Sequence, residues 1–171
     1  QESRRAARTS PEGDLVLLEL QDRTLWDRNL IAEGERLAAQ ALRAEQIGLY
    51  TIQAQIALNH SRAAAAEETD WRQVVGWYDL LTRVEPGPIV QLNRAVAVGM
   101  RDGIAAGLEL VDAILAGGEL NEYHLAHAVR GDFCRRLGQV REACLSYEKA
   151  LELARQEPER RFLRRRLDEL A

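Results

Sequence analysis

Apolar side chains recur at steps of three and four residues along most of this 171-residue chain. That step is the period of an amphipathic α-helix, whereas a β-strand repeats every two residues. The strand-like run Leu15-Val16-Leu17-Leu18 has no second strand to pair with, so we expect an extended segment or a short helix against the core. The periodicity therefore predicts an all-α fold.

Helix-start and helix-stop signals divide this pattern into hairpins. Thr24 followed by Asp27 is typical of an N-cap with an acidic first turn, and it predicts a helix over residues 25–45. The expected core face of this helix consists of Trp26, Leu30, Gly34, Leu37 and Ala41. A second helix is predicted over residues 50–62, and the two helices should form an antiparallel hairpin over residues 24–65.

A third helix is predicted to begin at a capping box formed by Thr69-Asp70 and Gln73. It should contain Trp71 and end at Pro86-Gly87-Pro88, because proline cannot continue a helix.

A period of 33 to 36 residues links the later helices. A small or medium, then a large, then an apolar residue recurs in three sets: Val74, Tyr78, Leu81; Gly107, Val111, Ile114; and Ala143, Tyr147, Ala150. This order is typical of the second helix of a tetratricopeptide (TPR) repeat, where small residues let two helices approach and the large one fills the adjacent groove. We predict degenerate repeats over residues 69–156, closed by a capping helix over residues 158–171, because a helix pair cannot bury its face alone. The whole is expected to be a TPR-like right-handed superhelical array of antiparallel hairpins, in a single domain over residues 15–171.

The charge balance excludes some classes of protein. With 23 basic and 27 acidic side chains the formal net charge is −4, so nothing favours a phosphate backbone as partner. No window reaches the roughly 18 apolar residues that span a bilayer, which predicts a cytoplasmic protein with no membrane partner. Cys134 and Cys144 do not form a Cys-x-x-Cys pair, and we expect two reduced thiols.

Candidate catalytic and metal-binding residues are few. His124 and His127 share a helix face, but no third ligand is spaced to join them. Tyr50, Gln53 and His60 line one face of the second helix, and no nucleophile accompanies His60 as a general base. We interpret these three as a buried, hydrogen-bonded polar cluster, and we expect no enzyme activity, no cofactor and no metal.

Residues 21–28 form an unusual cluster of charge around one aromatic ring. Asp22, Arg23, Trp26 and Asp27 can pair carboxylates with a guanidinium beside an indole, which is the chemistry of interfaces as well as of helix caps. Sequence alone leaves both interpretations open.

Several strings are more specific than the TPR consensus. They are Gln21-Asp22-Arg23-Thr24-Leu25-Trp26-Asp27-Arg28, Thr69-Asp70-Trp71, Leu92-Asn93-Arg94-Ala95-Val96-Ala97 and Arg135-Arg136-Leu137-Gly138. With these strings, nearly the whole chain resembles the C-terminal extension of bacterial extracytoplasmic-function (ECF) RNA polymerase sigma factors that carry a long TPR-like domain behind their two sigma domains.

The resemblance implies that residues 1–14 are the tail of a linker from sigma domains two and four, which lie outside this chain. Those domains would bind core RNA polymerase and promoter DNA. This chain would then be a regulatory module that docks on its own sigma domains or the polymerase and sets sigma activity. Its interface anchors would be Asp22, Arg23, Trp26 and Asp27. The alternative is a free-standing TPR adaptor that binds a peptide in a groove containing Asn93, Arg94, Asp132, Arg135 and Arg136.

Overall fold

The computed structural model describes residues 2–43 and 47–171. Apart from an isolated antiparallel bridge between Thr9 and Leu15, the regular elements of these residues are all helical, which confirms the all-α prediction. The chain divides into two compact units, Gln1–Pro86 (the N-unit) and Gly87–Ala171 (the C-unit). The linker tail over residues 1–14 and the single domain over residues 15–171 stay predictions.

The N-unit contains three α-helices and four short 3-10 helices. The α-helices are α1 (Arg28–Ala41), α2 (Leu49–Arg62) and α3 (Trp71–Val84). The 3-10 helices are Glu2–Ala7, Leu18–Leu20, Arg23–Leu25 and Ala66–Glu68. Helix α2 packs against both α1 and α3, so the predicted pairing of the first two helices is confirmed.

The N-cap of α1 differs from the prediction. Asp27 accepts hydrogen bonds from the backbone amides of Asn29 and Leu30 at 2.9 and 3.0 Å, so Asp27 is the cap and Thr24 is not. A carboxylate suits this position because it adds a negative charge at the positive end of the helix dipole. The helix predicted over residues 25–45 is therefore the shorter α1, and the end predicted for it lies outside the described residues.

The buried face of α1 also differs from the prediction. Ile31 and Ala38 are buried, whereas Leu30 is 45% exposed and Leu37 is 49% exposed. The predicted core face containing Leu30, Gly34 and Leu37 is therefore wrong. Helix α1 carries two adjacent apolar stripes about 100° apart, and helical spacing fits both of them.

Helix α3 begins as predicted. The Asp70 carboxylate accepts from the backbone amide of Gln73 at 3.0 Å, and the Gln73 side-chain amide donates to the other Asp70 oxygen at 3.0 Å. Asp70 is thus the N-cap, and the helix ends at Val84, just before Pro86.

The C-unit contains five consecutive α-helices, each packed on the next. They are α4 (Pro88–Asp102), α5 (Ile104–Ala116), α6 (His124–Arg136), α7 (Val140–Leu153) and α8 (Glu157–Asp168). Gly103 alone separates α4 from α5, and Gly138 lies between α6 and α7; their φ angles of 109° and 73° favour glycine. Such short connections make α4–α5 and α6–α7 antiparallel hairpins.

Small residues lie where the helices of the C-unit cross. A Cβ atom on Gly131 would lie 2.7 Å from the Tyr147 ring, and one on Gly107 would lie 2.7 Å from the Phe133 ring and from the Gly99 Cα. The predicted pairing of small residues with a large one is therefore present in the core. The right-handed TPR-like superhelix stays a prediction.

Helix α8 covers the end of α7, as expected for a capping helix. Leu163 is buried in the core of the C-unit. The Arg160 guanidinium donates to the carbonyls of Leu151 and Ala154 at 2.8 and 3.0 Å, which satisfies backbone acceptors at the C-terminus of α7. The guanidinium of Arg160 in α8 is therefore engaged within the C-unit.

We predict that Gly131→Ala destabilises the C-unit by about 1–3 kcal/mol, because the added methyl group overlaps the buried Tyr147 ring. Urea unfolding followed by circular dichroism measures the change. Gly76→Ala in α3 is the control, since its Cβ meets nothing within 4 Å, and it should stabilise the chain by up to about 1 kcal/mol. An unchanged unfolding midpoint for Gly131→Ala would contradict the packing described here.

Candidate functional site

Arg23 joins the segment before α1 to the end of α2. Its guanidinium Nη1 donates to the carbonyls of His60 and Ala63 at 2.8 and 2.6 Å, and its Cζ lies 4.5 Å from the centre of the Trp26 ring. We call this arrangement the Arg23 latch. A cation is favourable at this place because helix C-terminal carbonyls lack intrahelical partners and carry the negative end of the dipole.

Trp26 is a core residue of the N-unit and not an exposed anchor. It is 3% exposed and packs with Ala7, Ile31 and Leu18. Its predicted role as a residue that a partner touches directly is wrong, because the chain's own side chains cover the indole.

The two aspartates of the motif cap helices. Asp22 accepts from the backbone amide and the hydroxyl of Thr24 at 2.8 and 2.7 Å, and these hydrogen bonds, the hydroxyl one first, lower the pKa of Asp22. Asp27 caps α1, and its own backbone amide donates to the carbonyl of Ser3 at 2.8 Å. Both carboxylates remain exposed. The motif therefore organises the N-unit first, and a partner could reach only its charged edge.

The predicted buried polar cluster on α2 is wrong. Tyr50 is 82% exposed and Gln53 is also exposed, so His60 has no buried cluster with them. Helix α2 instead buries the neighbouring face with Ile52 and Asn59, and the Asn59 amide donates to a carbonyl of its own helix at 3.0 Å. Both faces have helical spacing, and the position of α1 and α3 decides which one is covered.

His60 is a packed, neutral imidazole. Its ring lies edge-on to Trp71 with 5.3 Å between the ring centres. Burial, which is the largest cause, and the positive charges of Arg4 and Arg23 together lower the pKa of His60 to about 4. The group therefore stays uncharged near pH 7, which suits its place beside the Arg23 latch.

The predicted groove residues lie on α4 and α6 of the C-unit. Arg135 donates to Asp132 at 2.6 Å, and the Arg136 guanidinium lies 3.7 Å from the other Asp132 oxygen. Arg136 also lies 3.4 Å from the Met100 sulfur at the end of α4. The structure thus brings together three of the five predicted residues, all on α6.

The other two predicted groove residues lie on α4, two turns before Met100. Asn93 is exposed and Arg94 is half-buried. A peptide-binding role for the set stays a prediction.

The Asp132 carboxylate affects its neighbours electrostatically. Its hydrogen bond is the main reason that the pKa of Arg135 is raised. Burial raises the pKa of Tyr147, and the negative charge of Asp132 adds to that shift. Asp132 is engaged by its own helix, so this surface does not offer an isolated carboxylate to a ligand.

The two histidines of α6 have different neighbours. His124 Nε2 lies 3.3 Å from a carboxylate oxygen of Glu159 in α8, and His127 Nε2 lies 2.8 Å from the carbonyl of Asn121. Across residues 2–43 and 47–171, no group of three or more His, Cys, Asp or Glu side chains could hold a metal ion.

The sequence analysis missed an exposed apolar surface on α1. We call Leu30, Gly34, Leu37 and Ala41 the outer stripe. At its N-terminal end, an open cleft of about 650 Å³ is lined by Glu2, Ser3, Arg5, Ala6, Thr9, Leu25, Asp27 and Leu30. The signal was present in the sequence as two overlapping helical spacings, but only one of the two stripes can face α2.

The outer stripe and the cleft lie in a segment that matches a family model. Residues 1–42 match a family of unknown function, DUF6596. An uncharacterized protein of Rhizobium meliloti (strain 1021) is 42% identical over 171 residues, which is all of this chain and 40% of that protein. The chain thus spans about two fifths of the length of the curated relative it matches. No solved structure matches it.

No helix in the described part of the chain is long and apolar enough to cross a membrane.

We predict that Arg23→Ala destabilises the N-unit by about 2–3 kcal/mol, because two carbonyls at the end of α2 lose a charged donor and Trp26 loses its stacked cation. Thermal unfolding monitored by tryptophan fluorescence measures the loss. Arg36→Ala is the control: Arg36 pairs with Glu33 at 3.6 Å on the exposed side of α1, and its loss should cost less than about 1 kcal/mol. Equal effects of the two substitutions would contradict the latch.

We predict that His60 makes stability fall on acidification. The pKa of His60 in the folded state, about 4, lies below its ordinary value of 6.5, so the unfolded chain binds the proton more readily. The contribution of His60 to the free energy of unfolding is complete above about pH 7 and is lost as the pH falls from 6.5 toward 4. By pH 5 the loss amounts to about 2 kcal/mol. Urea unfolding of the chain and of His60→Gln across pH 5–7 isolates this share. Parallel pH profiles for the two proteins would exclude it.

Proposed function

We propose that this chain is an interaction module of a longer bacterial transcription-initiation protein, the C-terminal extension of an ECF sigma factor. In this role it docks on sigma domains two and four of its own polypeptide, or on core RNA polymerase, and sets sigma activity. Promoter DNA is contacted through the sigma domains and not through this chain.

The proposal rests on two observations taken together. An apolar surface on α1 is partly exposed, and a relative of this chain is a longer protein. The outer stripe and the cleft both lie within residues 1–42, the segment that matches a family model. The whole chain aligns within 40% of the relative, so a remainder is available there for such a surface to contact. The resemblance of the Gln21–Arg28 string to the sigma-factor extensions supplies the class of that remainder.

Electrostatics support protein docking over direct DNA binding. The net charge is −4. In α8, Arg160 binds backbone carbonyls of α7, Arg164 pairs with Glu157 at 2.9 Å and Arg166 pairs with Glu169 at 2.7 Å. Guanidinium groups engaged in this way are poor ligands for phosphate, because binding would first break existing contacts.

The test is an isothermal titration of the 171-residue chain into a purified polypeptide that carries the two sigma domains of the parent protein. We expect saturable binding. Trp26→Ala should weaken it, because loss of the buried indole costs about 3–5 kcal/mol and disrupts the N-unit. Gly76→Ala, an exposed change in α3, should leave it intact and serves as the control.

Absence of binding at high micromolar concentration would contradict docking on the sigma domains. The same titration against core RNA polymerase then tests the second partner in the proposal. Failure with both would favour the free-standing peptide adaptor.

A further inference from the structure

Helix α1 presents an apolar surface that the described residues cover only in part. Leu30 and Leu37 are both nearly half exposed, and Gly34 lies between them on the same face. Spacings of four, three and four residues separate Leu30, Gly34, Leu37 and Ala41, so large and small side chains alternate along the outer stripe. Alternation of this kind forms ridges and hollows that interdigitate with a second helix.

Three of the five glycines within the described α-helices lie at close helix contacts. A Cβ atom on Gly99, Gly107 or Gly131 would come within 2.8 Å of another element, so each glycine is required by a close approach. A Cβ atom on Gly34 would meet nothing within 4 Å. Glycine is unfavourable inside a helix, and among the described residues Gly34 lacks the close contact that explains Gly99, Gly107 and Gly131.

Gly76 of α3 shows that an open position at a helical glycine does not by itself distinguish the outer stripe. It also meets nothing within 4 Å, but its neighbours one turn away are Arg72, Gln73, Asp79 and the half-buried Leu80. Gly34 instead lies between two exposed leucines. Open space and flanking apolar ridges together distinguish the outer stripe.

We propose that the outer stripe binds an amphipathic α-helix from the part of the same polypeptide that lies outside these 171 residues. This assignment rests on the proposed function, which makes the chain one module of a longer protein. Leu25, Leu30 and Leu37 are 52%, 45% and 49% exposed, and three such side chains supply far less than the roughly 800 Å² per partner in a stable interface between separate proteins. So small a surface suits a tethered helix, because tethering raises the effective concentration of the partner to the millimolar range.

The adjoining cleft extends the surface past the start of α1. Leu25 and Leu30 line it together with Ala6 of the first 3-10 helix, and Glu2 and Arg5 border it as an ion pair at 3.2 Å. The bound helix therefore crosses α1 at Gly34 and directs one bulky apolar side chain into the cleft beside Leu30.

The test measures thiol accessibility in the full-length parent protein and in the 171-residue chain, both carrying Leu37→Cys. We expect maleimide to modify the new thiol at least tenfold more slowly in the full-length protein, with peptide mass spectrometry separating it from Cys134 and Cys144. Adding Gly34→Leu should restore the fast rate in the full-length protein, because the bulky side chain fills the crossing. Gly76→Leu is the matched control and should leave the thiol protected.

Equal rates in the two proteins would overturn the assignment. So would protection that appears in the 171-residue chain with rising concentration, since the stripe would then bind a second copy. Protection that persists with Gly34→Leu would also overturn it, because the crossing at Gly34 would not be the contact. The thiol test uses the tethered full-length protein and the titration uses separate polypeptides, so failure of this assignment is distinguishable from failure of the proposed function.

Discussion

The N-unit depends on one guanidinium placed at the end of a helix. The apolar cluster around Trp26 consists of Ala7, Trp26 and Ile31 with Leu18 packed against it, while α2 and α3 bury further apolar side chains, among them Ile52, Val74 and Val75. Arg23 connects that cluster to α2, since it covers the indole and donates to two carbonyls at the helix C-terminus. With the preceding segment held in this way, the Asp27 carboxylate is positioned to begin α1. Capping and electrostatic contacts therefore hold the segment before α1 against the end of α2.

The C-unit is held together by a different means. Its helices cross where glycine meets an aromatic ring, as Gly131 meets Tyr147 and Gly107 meets Phe133. Such contacts are close-packed and insensitive to pH, and a single added methyl group disturbs them. The two units thus respond to different perturbations: the N-unit to charge and protonation, the C-unit to side-chain volume.

Much of the fold follows from local sequence signals. Periodicity locates the helices, the Asp70–Gln73 pair starts α3, and the small-large pattern singles out Tyr147, although not the glycine of α6 on which it packs. Local sequence signals do not determine which face of a helix a neighbouring element covers. Helix α1 has two apolar stripes and α2 has two helical faces, so the exposure of Leu30 and Tyr50 depends on where other elements lie. The Asp22–Asp27 motif was ambiguous for the same reason, because paired charges around an indole suit both a cap and an interface.

The structure reverses the expected roles of two neighbouring segments. The charged motif, which has the composition of an interface, packs Trp26 inward, whereas the apolar stripe, which has the composition of a core, points outward. A contact made through Leu30, Gly34 and Leu37 is selected by shape and by removal of apolar surface from water, and salt screens such terms little. The adjacent charges of Asp22 and Asp27 remain available to orient a partner. In the proposed docking, affinity and orientation would then come from different residues of the same short segment.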